Sequence, residues 1–158
     1  MDPLHLHLYL NHVPVVGAIG CVLLLAAGLV RQSRDVMAAA LVALLLVALV
    51  AIPVYLTGEP SEERAESIAG VSEANIERHE DAAKVAFIGI ELTGVIALVS
   101  LIIWWFRQSP LLAPIVVTLA VALISAILIA RAAALGGEIR HSELRDATIV
   151  DGGGEIDD

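Results

Sequence analysis

Four long apolar runs constrain this chain more than any other feature. Val13 to Val30, Val36 to Thr57, Val85 to Phe106 and Leu111 to Leu135 are each 18 to 25 residues long and almost free of charge. A helix rising 1.5 Å per residue needs about 20 such residues to cross roughly 30 Å of hydrocarbon. Composition agrees, with 58% hydrophobic residues and a mean hydropathy of +0.85, values a water-soluble domain of this size would struggle to keep in solution. The expected fold is an all-α integral membrane protein, an up-and-down bundle of four transmembrane helices. The spans and their short links use residues 1–146 as one domain, so any chemistry must sit in the bundle or at its ends.

An even number of crossings puts the amino end, the link from Gly58 to Lys84 and everything after Leu135 on one side. All five histidines, His5, His7, His12, His79 and His141, fall at that end. The opposite end has only two tight turns, Arg31 to Asp35 and Arg107 to Ser109, with three arginines against one acid. By raw number the histidine end carries more Lys and Arg, but the positive-inside rule is read on short loops. Arginine density there, with Trp104 and Trp105 beside Arg107 as an interfacial belt, predicts both termini and all histidines outside the cytoplasm. No basic n-region with an A-x-A site precedes the first run, which is therefore expected to be an uncleaved anchor.

The histidine end carries helical signals of its own. Residues 61–81 are compatible with a helix outside the membrane, with Ser61 as N-cap and a break at Gly70. Ser72 caps a second piece whose pattern runs through His79 into the third span without interruption. After the fourth span, Gly136-Gly137 is a candidate helix stop before His141. Small residues lie under the histidines: Ala82, Ala83 and Ala86 follow His79, Gly17 and Gly20 follow His12, and Gly137, Ala134, Ala133 and Ala130 precede His141. Either they are close-packing positions, as membrane helices favour, or they leave space for a planar cofactor held by inward-facing ligands. Residues 147–158, with three glycines and four acids, read as a disordered acidic tail.

His7-Leu-Tyr-Leu-Asn-His12-Val13-Pro14 resembles the H-P-x-x-V-H-F-P opening of a widespread bacterial family of small four-helix membrane proteins, known mainly as a domain of unknown function. Leu8 stands in place of the proline and Val13 in place of the phenylalanine. Leu56-Thr57-Gly58, His79 and the stretch Leu135-Gly136-Gly137-Glu138-Ile139-Arg140-His141 follow that family's pattern in order, the last being shorter than the usual G-G-x-L-V-Y-x-H. The likeness covers residues 4 to 145. Members joined to Rieske or cytochrome c modules imply redox work outside the cytoplasm, in the bacterial inner membrane.

The function expected on these grounds is that of a b-type haem protein, with one or two haems, transferring electrons rather than turning over a small-molecule substrate. His12 and His79 are the first pair of axial ligands, because both lie near the apolar boundary at helix starts. His7 and His141 would serve a second haem or, with Arg140 and Arg145, hold propionates. A quinone or an extracytoplasmic cytochrome is the expected partner, and self-association is left open. A second expectation changes the cargo: Glu59, Glu80 and Glu138 with His12, His79 and His141 would suit iron, manganese or zinc, and histidines alone would suit copper. Only one Glu-x-x-His, Glu138 to His141, is present where a di-iron bundle wants two.

A third expectation is a non-redox accessory subunit or small transporter. Glu91 is its main feature, an ionisable group about two turns inside the third span. It is a candidate proton or quinone contact, or a carboxyl satisfied by Thr93 or Thr118; Lys84, about 10 Å along the helix, is a poor partner. Inverted repeats are lacking, and Pro53 alone interrupts the second span, near its outer end. Cys21, the only cysteine, reads as a small packing residue. No phosphate-binding glycine loop, nucleophile elbow or H-E-x-x-H occurs, and a net charge of −9 makes nucleic acid a poor partner.

Overall fold

In a computed structural model, residue 7 and residues 9–58 and 73–140 are described. Four helices follow one another: α1 His12–Val30, α2 Arg34–Leu56, α3 Glu73–Arg107 and α4 Leu112–Arg140. Each helix packs on its neighbours in sequence, and α1 also packs on α4, closing a four-helix ring. All four are long and apolar enough to cross a membrane. The protein is thus an all-α, multi-pass four-helix bundle.

Its side-chain distribution is that of a bundle solvated by lipid. The fully buried positions include Leu25, Leu41, Leu44 and Ile90, yet large aliphatics such as Val16, Leu23, Leu46, Ile88 and Ile127 point outward. In water such a surface would drive aggregation; in hydrocarbon it costs nothing. With little hydrophobic drive left between helices, close approach of small residues carries the packing. A methyl placed at Gly94 would stand 2.5 Å from Cβ of Ala48, and one at Gly17 2.7 Å from a Val47 methyl. Hydroxyls add to the α3/α4 seam: Thr93 meets Ser125 at 2.9 Å, and Ser100 meets Thr118 at 3.1 Å. Thr93 donates to the Gly89 carbonyl one turn back, so Ser125 donates to Thr93. Ser100 and Thr118 lie within reach of the Ile96 and Pro114 carbonyls and of each other, and each gives its one proton to one of these acceptors, so these groups are satisfied inside the bundle.

The first tight turn has a local explanation. Ser33 N–H donates to the Gly28 carbonyl and Gln32 N–H to the Leu29 carbonyl, the paired bonds of a Schellman stop, with Gln32 at φ 52°. Ser33 then caps α2, its hydroxyl accepting from Val36 N–H at 3.5 Å.

Two lengths matter for the site. At 35 residues α3 spans about 52 Å, so its first turns stand clear of a membrane about 30 Å thick. The uninterrupted passage from Glu73 through His79 into the span agrees with the sequence; Ser61 to Ser72, including the break expected at Gly70, lie outside the described residues. The stop expected at Gly136-Gly137 does not occur, because α4 continues to Arg140. Two glycines weaken a helix by about 1 kcal/mol each relative to alanine. Gly136 lies against the His79 ring: a methyl on it would stand 3.0 Å from Cε1 of His79, so the ring would have to give by a few tenths of an ångström. The acidic tail, residues 147–158, lies outside the described residues.

Candidate functional site: paired imidazoles at one end of the bundle

His79 sits in the second turn of α3, six residues and about 9 Å above Val85, where the third apolar run begins. It is half-buried, and its Nδ1 lies 2.9 Å from the backbone carbonyl of Ala132 in α4. His7 precedes α1 and is tied the same way to a different helix, with Nδ1 3.0 Å from the carbonyl of Val54 in α2. That carbonyl belongs to the last turn of α2, where intrahelical donors run out. Thr57 also donates its hydroxyl there, at 3.1 Å, and to the Pro53 carbonyl at 2.8 Å.

A carbonyl oxygen has no proton to give, so each Nδ1 must carry the hydrogen of its bond. In a neutral ring this leaves the lone pair on Nε2. Two imidazoles on different helices are thereby set in the same tautomer, each with Nε2 as its open acceptor. That is how ligating histidines are usually oriented, by an outer hydrogen bond from the other nitrogen. Burial lowers the pKa of His79 below the ordinary 6.5; the Ala132 carbonyl opposes this, and the charge of His7 adds to the lowering.

A pH dependence follows from that shift. A depressed imidazole pKa means the unfolded chain takes up the proton before the folded one. Stability therefore decreases as pH falls through about 6.5, and the loss is complete below the folded value. Thermal unfolding of the detergent-solubilised protein between pH 8 and pH 5 should show this decline, and His79→Gln should flatten it.

Which histidine faces inward depends on the turn before α1. Asn11 N–H donates to the His7 carbonyl at 2.9 Å, so His7 and Asn11 are a helical turn apart and share a side. His12 falls about 100° further round and is exposed. The α1 residues that face the bundle are Pro14, Ala18, Cys21, Leu25 and Gly28. Of the expected first pair, His79 is half-buried and tethered to a neighbouring helix, whereas His12 lies on the outer face. Asn11, which the sequence did not single out, has a buried Oδ1 without a hydrogen-bond partner. Its one signal was its place between the two histidines of the opening motif.

The other expected residues divide plainly. Glu80 is ion-paired with Lys84 at 2.7 Å on an exposed stretch of α3. Glu138 is half-buried in the last turns of α4, and Arg140 closes that helix. His5, Glu59, His141 and Arg145 lie outside the described residues. Among the described residues, no three His, Cys, Asp or Glu gather as a metal-ligand group. Glu91 is satisfied by neither expected threonine: Thr93 bonds Gly89 and Ser125, Thr118 bonds Ser100 and Pro114, and Glu91 Oε1 is buried without a partner. It shares a face of α3 with Phe87, one turn above, which stacks on Tyr55 of α2 at 4.3 Å, and with Gly94, one turn below, which abuts Ala48 of α2. Glu91 therefore faces the α2/α3 seam, about 18 Å along α3 from His79. Cys21 is buried, as expected of a packing residue.

Fold and site together define a four-helix membrane protein with two tethered imidazoles at one end. No protein-family model matches the chain, nor does any curated protein or solved structure.

Proposed function

We propose that this is a membrane b-type haem protein that carries electrons at the extracytoplasmic face of a bacterial inner membrane, with both termini on that side. The single observation that carries the proposal is the matched tethering of His7 and His79, each Nδ1 on a carbonyl of a neighbouring helix, which leaves Nε2 as the acceptor of each neutral ring. Bound haem would supply reversible one-electron chemistry at its iron, its potential set by axial ligands and burial. The chain's own part is to hold two imidazoles with Nδ1 tied to a carbonyl and Nε2 left for a ligand bond. Burial keeps His79 unprotonated, and therefore a ligand, at neutral pH. In this reading His7 takes the place beside His79 that the sequence assigned to His12. His141 belongs with a second site, and Arg140 and Arg145 with propionates. Glu91, unpartnered in the α2/α3 seam, is the proton or quinone contact. A quinone or a soluble cytochrome is the electron partner. The likeness to the bacterial four-helix family is part of the same proposal.

One observation favours a second reading. Asn11 Oδ1 is a buried, unused oxygen donor on the turn that carries His7, and an oxygen beside imidazole suits non-haem iron or zinc. Measured cofactor content separates the two. Protein expressed with ample haem and purified in detergent should yield about one or two haems per chain on extraction. Stoichiometric iron, copper or zinc without porphyrin would replace the first reading by the second, and neither would leave the non-redox subunit.

A further inference from the structure

On the outer side of the α3/α4 seam, at the histidine end, is a groove of about 240 Å³ that the imidazole site does not use. Ala82, Val85, Leu128 and Leu135 line its apolar part, while Arg78, Asp81 and Arg131 supply its charges. Arg78, Asp81, Ala82 and Val85 form one helical stripe, as do Leu128 and Arg131. Val85 begins the third apolar run and Arg131 lies four residues inside the end of the fourth, so the groove straddles the membrane boundary.

The two arginines are the anomaly. Among the described residues the one ion pair is Lys84 with Glu80, and neither guanidinium has a hydrogen-bond or ion-pair partner. A guanidinium within an apolar span must find an anion or reach for the headgroup layer. Among the described residues Arg131 is ion-paired with none, Asp81 being the one carboxylate in the groove wall, and the bilayer offers phosphate at that depth.

We infer that this groove binds a singly charged anionic phospholipid whose headgroup carries hydroxyls, of the phosphatidylglycerol type. Arg78 and Arg131 take the phosphodiester, for which guanidinium forks are well matched. The acyl chain lies along Ala82, Val85 and Leu128. Asp81 accepts from the headgroup hydroxyls. Two cations and one carboxylate leave the groove at a net charge of +1, which complements one negative charge and disfavours the neutral choline headgroup, whose quaternary ammonium has no proton to donate.

Native mass spectrometry of the full chain, released from phosphatidylcholine nanodiscs containing small amounts of phosphatidylglycerol, tests this. The wild type should retain phosphatidylglycerol in preference to phosphatidylcholine. An arginine near the membrane surface contributes about 1 kcal/mol, or about fivefold, so Arg78→Gln with Arg131→Gln should weaken retention about 25-fold. Arg107→Gln, at the opposite end, should leave it within about twofold of the wild type, and the haem spectrum should not change. If the double glutamine variant folds poorly, Arg78→Lys with Arg131→Lys keeps both charges and should keep most of the binding. Equal retention of the two lipids by the wild type would overturn the proposal, as would undiminished retention by the glutamine variant. Equal binding of phosphatidylethanolamine would overturn the choice of an anionic lipid. Displacement by glycerol phosphate at the lipid's own concentration would overturn the choice of a lipid at all.

Discussion

His79→Ala, purified in detergent from cells supplied with haem, is expected to lose the Soret absorption of the wild type almost completely while remaining a folded four-helix bundle. The two halves of that expectation have separate causes. In the proposed haem site ligation would depend on Nε2 of His79, and its loss would leave one imidazole where electron-transfer haems commonly take two strong ligands. Removing only an outer hydrogen bond typically costs 10 to 100-fold in metal affinity, so removing the ligand itself should cost more. The fold, by contrast, gives up little. The Ala132 carbonyl that accepts from His79 lies within α4, where the helix itself supplies a donor. His79 also stands above the apolar run of α3, away from the fully buried Leu41, Leu44 and Ile90. His7→Ala should lose pigment in the same way, whereas His12→Ala should keep at least about half, because His12 is exposed on the outer face of α1. A His12→Ala protein as colourless as His79→Ala would return the ligand role to His12.

Gly94→Val should be the most damaging single change in the bundle interior. The hydrogen on Gly94 leaves room for Ala48 of α2, and a methyl there would lie 2.5 Å from Cβ of Ala48. That Cβ is fixed to its backbone and cannot swing aside, so α2 and α3 must part or slide. Overpacking in a close-packed interior costs about 1–3 kcal/mol, and valine recovers little helix propensity over glycine to offset it. Reversible unfolding in mixed detergent should show a loss of about 2 kcal/mol or more. Ala48→Gly in the same protein should restore part of it, because it opens space at the same contact. Parting α2 from α3 also disturbs the Tyr55–Phe87 stack and the seam that holds Glu91. Gly94→Val with wild-type stability would mean that the helices can slide at little cost.

The architecture was legible because membrane crossing depends on run length, and run length is a local property. Four stretches of 18 to 25 residues, almost free of charge, admit few other solutions in a chain this short. The extension of α3 above the membrane was legible for a similar reason: no helix breaker stands between Ser72 and Lys84. What the structure adds to the sequence comes from contacts between distant segments. Gly136-Gly137 looks like a helix end in isolation, yet the helix runs on to Arg140 with Gly136 against the His79 ring, 57 positions earlier. Proximity to the apolar boundary favoured His12, but the difference between His7 and His12 is one of rotation. The turn that joins His7 to Asn11 puts His7 over the end of α2 and leaves His12 outside. Glu91 could be suspected from its position alone. That Thr93 and Thr118 are both engaged elsewhere is a fact of the α3/α4 seam, which no spacing along one helix reveals.

The most direct test of the imidazole pair as a haem site is the optical spectrum of the purified wild-type protein, recorded oxidised and after dithionite reduction. An intense Soret band with sharp additional bands on reduction is expected, and the bands should be lost in both His7→Ala and His79→Ala. A colourless wild type from cells with adequate haem, or pigment that survives both substitutions, would contradict it.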